Sequence, residues 1–193
     1  MDIVIVDKIL NLGISLINWK KQQKITQYEK FVAPMFQDFE KVHEDYIDSF
    51  KKYRDLLKKL KSGSKEITID TILETIKEDS LFTEDLRMKL THLADVESKS
   101  NVSCFILAIY TYLRLADFES EDSLWEMNGV RFDLYHDLIH VKKRIQEWKE
   151  PEEKQIDRAL ETLDENVMRL QRSYNEVVRQ YTRLKKDSYS SIL

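Results

Sequence analysis

The chain has 193 residues, a formal net charge of −4 at neutral pH, 42% hydrophobic and 34% charged side chains, and only 3 Gly and 2 Pro. That length suits one well-buried domain, the scarcity of turn residues excludes a many-stranded sheet, and the acidic balance argues against general nucleic-acid binding. The lone cysteine, Cys104, rules out an intramolecular disulfide.

The opening segment, MDIVIVDKILNLGISLINWKK, lacks a basic leader and a small-residue cleavage site, so the expected setting is cytoplasmic. Its spacing predicts an amphipathic helix over 1–21. Asp7, Lys8, Asn11, Ser15 and Asn18 form a polar stripe only about 100° wide. Apart from Val4, apolar residues fill the rest of the circumference. So wide an arc is either buried on several sides or laid into a membrane interface. Asp7 and Lys8 argue against a full span. Gly13 sits mid-arc, where it admits a close neighbouring helix and offers lipid nothing. The expected interaction face is therefore Ile9, Leu12, Gly13, Leu16 and Trp19, packed on this chain's own bundle or across a homodimer. Trp19, Lys20 and Lys21 make a membrane anchor the alternative.

A long helix follows over about 25–61, kinked near Pro34, whose missing N–H and ring interrupt the preceding turn. Met35, Phe39, Val42, Tyr46, Phe50, Tyr53, Leu57 and Leu60 form its apolar stripe, with Ile25, Tyr28 and Phe31 leading in. His43 borders that stripe and is expected at the bundle edge. Lys51, Lys52, Arg54, Lys58, Lys59 and Lys61 form a basic face on the opposite half of the wheel. Cations near a helix C-terminus complement its dipole, so the expectation is a solubilising face; the alternative is a footprint for nucleic acid or anionic lipid.

Gly63 marks the next break. Residues 67–118 read as a cluster of shorter helices, with Asp70 and Thr83 as N-caps. The stretch NVSCFILAIYTYLRLADF is apolar nearly all round and is expected to be a buried central helix, with Cys104 a small buried hydrophobe. Ser123–Glu126 has capping-box spacing, and Asn128-Gly129 suits a helix stop in which Gly takes the left-handed conformation. A third helix over 130–149 carries the stripe Leu134, Leu138, Val141, Ile145 and Trp148.

That third helix contains YHDLIH. Asp133, His136 and His140 fall within about 60° on one face, which offers one carboxylate and two imidazoles to a divalent metal. The apolar stripe turns this face to solvent, Arg144 opposes a cation there, and Asp137 stands where a zincin has Glu. The expectation is a solvated helix face with no metal and no cofactor.

Pro151 opens the last helix, 152–187, with Glu152 and Glu153 at its positive end. Ile156, Leu160, Leu163, Val167, Leu170, Tyr174, Val177, Tyr181 and Leu184 recur in steps of four and three. One flank holds Ala159, Asn166, Ser173 and Gln180, small or neutral where a two-stranded zipper usually places charges, so the helix reads as a bundle wall. Tyr174 and Tyr181 each need a polar partner for the hydroxyl. The tail KKDSYSSIL is expected to fray.

The sequence therefore predicts a single all-α domain over 1–193, an elongated helical bundle. The function expected is a non-enzymatic protein–protein interaction module, of the adaptor, regulatory or immunity type, with a protein partner or a second copy of itself. A peripheral membrane protein anchored by the N-terminal helix is the runner-up. A metal-dependent hydrolase built on His136 and His140 ranks third and nucleic-acid binding last. No small-molecule substrate is evident.

Overall fold

A computed structural model of the chain describes residues 3–18, 24–79, 100–117, 129–148 and 152–189. Every regular element among them is helical: α1 (Ile3–Ile17), α2 (Lys24–Gln27), a π turn (Tyr28–Val32), α3 (Ala33–Lys61), α4 (Ile69–Glu78), α5 (Asn101–Asp117), α6 (Val130–Gln146) and α7 (Glu152–Tyr189). The protein is an all-α helical bundle. The expected elements at Thr83 and Ser123–Glu126, together with Trp19, Lys20, Lys21, Asn128 and Pro151, lie outside the described residues.

The chain forms two compact units, and α3, α5 and α7 each contribute residues to both. The first unit contains α1, α2, the π turn, α3 as far as Glu44, α5 as far as Arg114, and α7 from Gln171 onward. Its core joins Val6, Ile9, Leu10 and Leu16 of α1 to Met35, Phe36, Phe39 and Val42 of α3, Phe105, Ile106, Ile109 and Tyr112 of α5, and Val177 and Leu184 of α7. Each such side chain contributes about 1.5–3 kcal/mol on leaving water, which fastens helices whose backbone alone is marginal. Gly13 is buried with this set.

The π turn answers the problem posed by Pro34. The N–H of Ala33 reaches back to the Tyr28 carbonyl, five residues away, so one spare residue is absorbed just before the proline. The far end of α3 falls at the break expected around Gly63, and it closes with a left-handed glycine cap. Gly63 takes φ +79, its N–H donates to the Leu60 carbonyl at 3.0 Å, and the Ser64 N–H donates to the Lys59 carbonyl at 3.1 Å.

The second unit contains α3 from Asp45, α4, the end of α5 from Leu115, α6, and α7 as far as Leu170. Tyr46, Phe50, Tyr53 and Leu57 pack there with Ile72, Ile76, Leu134, Leu138, Val141, Ile156, Leu163 and Leu170. Arg131 is buried among them, with its guanidinium 4.9 Å over the Tyr46 ring and Nη1 donating to the Asp79 carbonyl at 2.6 Å. The Tyr53 hydroxyl donates to the Asp79 carboxylate at 2.9 Å.

Several local expectations are corrected. The N-cap of α4 is Thr68, whose Oγ1 accepts from the Thr71 N–H at 3.2 Å, and Asp70 lies in the first turn, where its charge still meets the positive end of the helix. Gly129 does not stop a helix in the left-handed region: at φ −60, ψ 147 it is the extended N-cap that opens α6. Trp148 falls beyond the end of α6, is 59% exposed, and does not complete the apolar stripe. Cys104 is only partly buried, because α5 turns Phe105, Ile106, Ile109 and Tyr112 inward and leaves the opposite side part-exposed. The tail stays helical as far as Tyr189, two residues past the expected limit.

The face of α7 is also turned. Alongside Ile156, Leu163, Leu170, Val177 and Leu184, the fully or nearly buried residues are Gln155, Ala159, Asn166, Gln180 and Ser188, while Leu160, Val167, Tyr174 and Tyr181 are half-buried. The buried stripe is therefore shifted from the apolar seam toward the small and amide flank. Ala159 permits close approach, and Asn166 satisfies itself by donating Nδ2 to the Val130 carbonyl at 3.2 Å.

Candidate functional site

The three surfaces singled out from the sequence have different fates. On α1, Ile9, Gly13 and Leu16 are buried and Leu12 is half-buried, all within the chain's own first unit. The polar stripe faces out, and its Lys8 forms an ion pair at 2.6 Å with Asp38 of α3. Asp38 also accepts from Lys41 at 3.1 Å. Burial pushes the Asp38 carboxyl up, but the two ammonium groups more than offset this and hold it below its ordinary value. Among the described residues no helix is long and apolar enough to cross a membrane.

On α6, His136 and His140 are exposed, and the Asp133 carboxylate accepts from Arg169 of α7 at 2.8 Å. Arg169 also donates to Asn166 at 3.1 Å, so Asp133 is drawn toward α7 and into a polar seam. Among the described residues, no group of three or more His, Cys, Asp or Glu side chains is arranged to hold a metal ion.

The basic run of α3 is largely neutralised by neighbours. Lys51 pairs with Asp48 at 2.8 Å, Lys52 with Asp79 at 3.4 Å, Arg54 with Asp164, and Lys61 with Asp157 at 2.6 Å and Glu153 at 3.7 Å. These pairs hold the Lys61 ammonium above its ordinary value, the hydrogen bond to Asp157 being the largest cause. Lys58 and Lys59 stand exposed. A face built this way stitches α3 to α4 and α7 more than it advertises positive charge.

Two features escaped the sequence reading. The first is a cationic stripe on the solvent side of α7. Arg172, Arg179, Arg183 and Lys186 are all exposed. Their spacing puts them within about 60° on one face over about 21 Å. Arg179 is bound by Glu176 at 2.6 Å, and the charge of Arg183 also bears on Glu176; among the described residues Arg172, Arg183 and Lys186 form no ion pair within 4 Å. The signal was present in the i, i+7, i+11, i+14 spacing, masked by the stronger apolar seam of the same helix.

The second is an aromatic stack inside the first unit. Tyr181 lies flat against Phe36, centroids 3.9 Å apart at 5°, and its hydroxyl is 2.7 Å from that of Tyr28. Burial first, and then this hydroxyl contact, pushes the Tyr28 phenol up. Phe39 stacks on Tyr174 at 5.9 Å and meets Tyr112 edge-on at 4.8 Å. His43 completes the series. It is only 8% exposed, lies flat on Tyr174 with centroids 3.8 Å apart at 11°, and has Nδ1 2.8 Å from the Tyr112 hydroxyl. This corrects the expectation of a bundle-edge histidine. Burial depresses the imidazole to about 4, opposed by a hydrogen bond to Gln171. His43 follows Phe39 by four and precedes Tyr46 by three, so its place on the stripe was legible and only its polarity disguised it.

A cavity of about 500 Å³ in the first unit is lined by Leu16, Ser100, Asn101, Ile106, Leu184 and Asp187 among others. Its polar groups are hydroxyls, amides and one carboxylate that accepts from Asn101, a set without a nucleophile–base pair. Comparison of the chain with protein-family models, with curated proteins and with solved structures gives no match.

Proposed function

We propose that the protein is a non-enzymatic interaction module that docks an acidic protein segment along the outer face of α7. The observation that carries this reading is the stripe Arg172, Arg179, Arg183 and Lys186, exposed and, among the described residues, with one ion pair within 4 Å, Arg179 to Glu176. The helix dipole accounts for cations in the last turn only, which covers Lys186 and the adjacent Lys185 but not the three arginines. The contrast with α3 is informative, since there four of the six cations, Lys51, Lys52, Arg54 and Lys61, are matched by Asp48, Asp79, Asp164 and Asp157.

An acidic protein segment suits the stripe better than other anions. Guanidinium forks match carboxylates in two-point contacts. Asn175 and Thr182, exposed beside the stripe, offer no aromatic ring for stacking bases, and Tyr189 past its end packs edge-on against Tyr28 at 5.7 Å. The chain's net charge of −4 repels long polyanions at a distance while leaving a local contact favourable. Protein is preferred over lipid because the apolar arc of α1, the segment that would enter a membrane interface, is occupied by the chain's own core.

The test is affinity capture from the native host with the wild-type protein and with Arg172→Glu/Arg179→Glu/Arg183→Glu, followed by calorimetric titration of the purified partner. The expected result is loss of at least tenfold in affinity in the variant, with binding that weakens as salt rises and a partner sequence rich in Asp and Glu. An unchanged set of partners, held at unchanged affinity by the charge-reversed protein, would refute the reading. Reversing Lys51, Lys58 and Lys59 is the control and should leave binding intact.

A further inference from the structure

His43 is the one buried histidine among the described residues, and its partners define which protonation state the fold accepts. Gln171 donates its Nε2–H to Asn175 at 3.2 Å, which leaves its carbonyl oxygen for the imidazole. An amide oxygen accepts, so the ring nitrogen facing Gln171 carries a proton. Nδ1, 2.8 Å from the Tyr112 hydroxyl, is then the bare nitrogen and accepts from it. Both ring nitrogens are satisfied in the neutral form, and the ring lies between the elements of a seam: α3 by its own backbone, α5 through Tyr112, α7 through Tyr174 and Gln171.

A second proton changes this balance. Nδ1–H then points at the Tyr112 oxygen, so the His43–Tyr112 hydrogen bond has to reverse its direction inside the core while the ring carries a charge. No carboxylate of the described residues lies within ion-pair distance of the ring. Glu40 and Glu44, on α3 itself, bear on the Tyr174 hydroxyl, which burial and then these two charges push up. From α5 the facing titratable group is Tyr112; from α7 it is Tyr174. The face of Tyr174 can soften an imidazolium but does not replace lost hydration.

We propose that His43 is an acid-operated latch of the first unit: neutral, it fastens α3 to α5 and α7 through Tyr112, Gln171 and Tyr174, and protonation releases that seam. Release exposes the aromatic surfaces of Phe39, Tyr112 and Tyr174. The second unit has no buried histidine among its described residues, since His136 and His140 are exposed.

The direction follows from linkage. The imidazole sits near 4 in the fold against an ordinary value of 6.5, so folding favours the neutral ring. The latch is fully closed above about 6.5, weakens as pH falls, and has given up its contribution by about 4. The shift corresponds to a factor of about 300 in the closed-to-open ratio, reduced to about 30–100 because the exposed edge of the ring retains some solvent.

The experiment is amide exchange read by mass spectrometry at pH 7 and pH 4.5, corrected for the intrinsic pH dependence of exchange, on the full chain and on His43→Gln. In the wild type, protection over 101–114 and 171–189 should fall about 30-fold or more at pH 4.5, while 69–78 and 130–146 hold. In His43→Gln, which hydrogen-bonds but gains no proton, the acid-specific loss should disappear. Because that variant can fail to fold, the His43 ring of the wild type is also titrated by NMR. Titration of that ring near 6.5 with the first unit intact overturns the latch. So does acid loss of protection in both units together, or an undiminished acid response in a folded His43→Gln.

Discussion

The contact that holds α1 to α3 gives an asymmetric and quantitative expectation. Asp38 is 5% exposed and lies between Lys8 at 2.6 Å and Lys41 at 3.1 Å, whereas both lysine side chains are more than half exposed. Removing the acid and removing the base are therefore different experiments. Asp38→Ala lets both ammonium groups return to water and should cost about 1 kcal/mol, the loss of charge-assisted bonds with surface partners. Lys8→Met leaves a buried carboxylate with Lys41 as its remaining lysine. That should cost about 2 kcal/mol, below the 3–5 for a fully broken buried pair because one partner stays. The double variant should resemble Asp38→Ala alone, which makes the coupling between the sites about 2 kcal/mol. Urea unfolding at pH 7 by far-ultraviolet circular dichroism measures the three variants, and amide exchange over 3–17 localises the effect to α1. Because the Asp38 carboxyl is held below its ordinary 3.8, its contribution is present above that value and is lost as pH falls through the lower folded value. A Lys8→Met variant as stable as wild type, or one less costly than Asp38→Ala, would refute the account of a buried acid secured by exposed bases.

Two further outcomes are expected. Gly63→Ala meets no atom within 4 Å, so its whole cost is the left-handed backbone at φ +79, about 1 kcal/mol, read as a lowered thermal midpoint. His136→Ala with His140→Ala should change stability by no more than about 0.5 kcal/mol, and metal analysis of protein purified without chelator should give the same substoichiometric content in both forms; stoichiometric zinc, manganese or iron lost in the double variant would restore the hydrolase reading.

The helices themselves were legible because α3 and α7 repeat their apolar residues over many turns, and a long period averages out local exceptions. Met35 to Leu57 are buried to the last member. What the pattern could not convey was any position where a polar side chain belongs inside. His43 occupies the inner stripe because two aromatic hydroxyl-bearing neighbours and Gln171 satisfy it, and none of those lies near it in sequence. Asn166 is inside because its amide is satisfied there, donating to the Val130 carbonyl 36 residues away and accepting from Arg169. The same blindness turned the face of α7, since a wheel weighted by hydrophobicity points at Leu160 and Val167 when small residues decide how near a neighbour can come. Local chemistry fared unevenly at helix ends. Gly63 was legible because positive φ has one ready occupant, while Gly129 illustrates that glycine also starts helices. The cationic stripe of α7 required knowing which charges find partners, which only the fold supplies.

The spare residue in the π turn has a consequence for how this helix can change. Tyr28 and Phe36 are eight positions apart, which in unbroken α winding puts them about 80° apart around the axis. Absorbing one residue leaves seven steps' worth of rotation and brings them to within about 20°, one above the other. Both then meet a single ring, Tyr181, at 5.8 Å and 3.9 Å. The upstream segment is thus indexed against the rest of the helix like a key cut one notch deep. Deleting any one residue between Tyr28 and Val32 would restore even winding with seven steps from Tyr28 to Phe36 and so keep Tyr28 over the same ring, whereas rewinding the π turn as α with no deletion would swing Tyr28 off it.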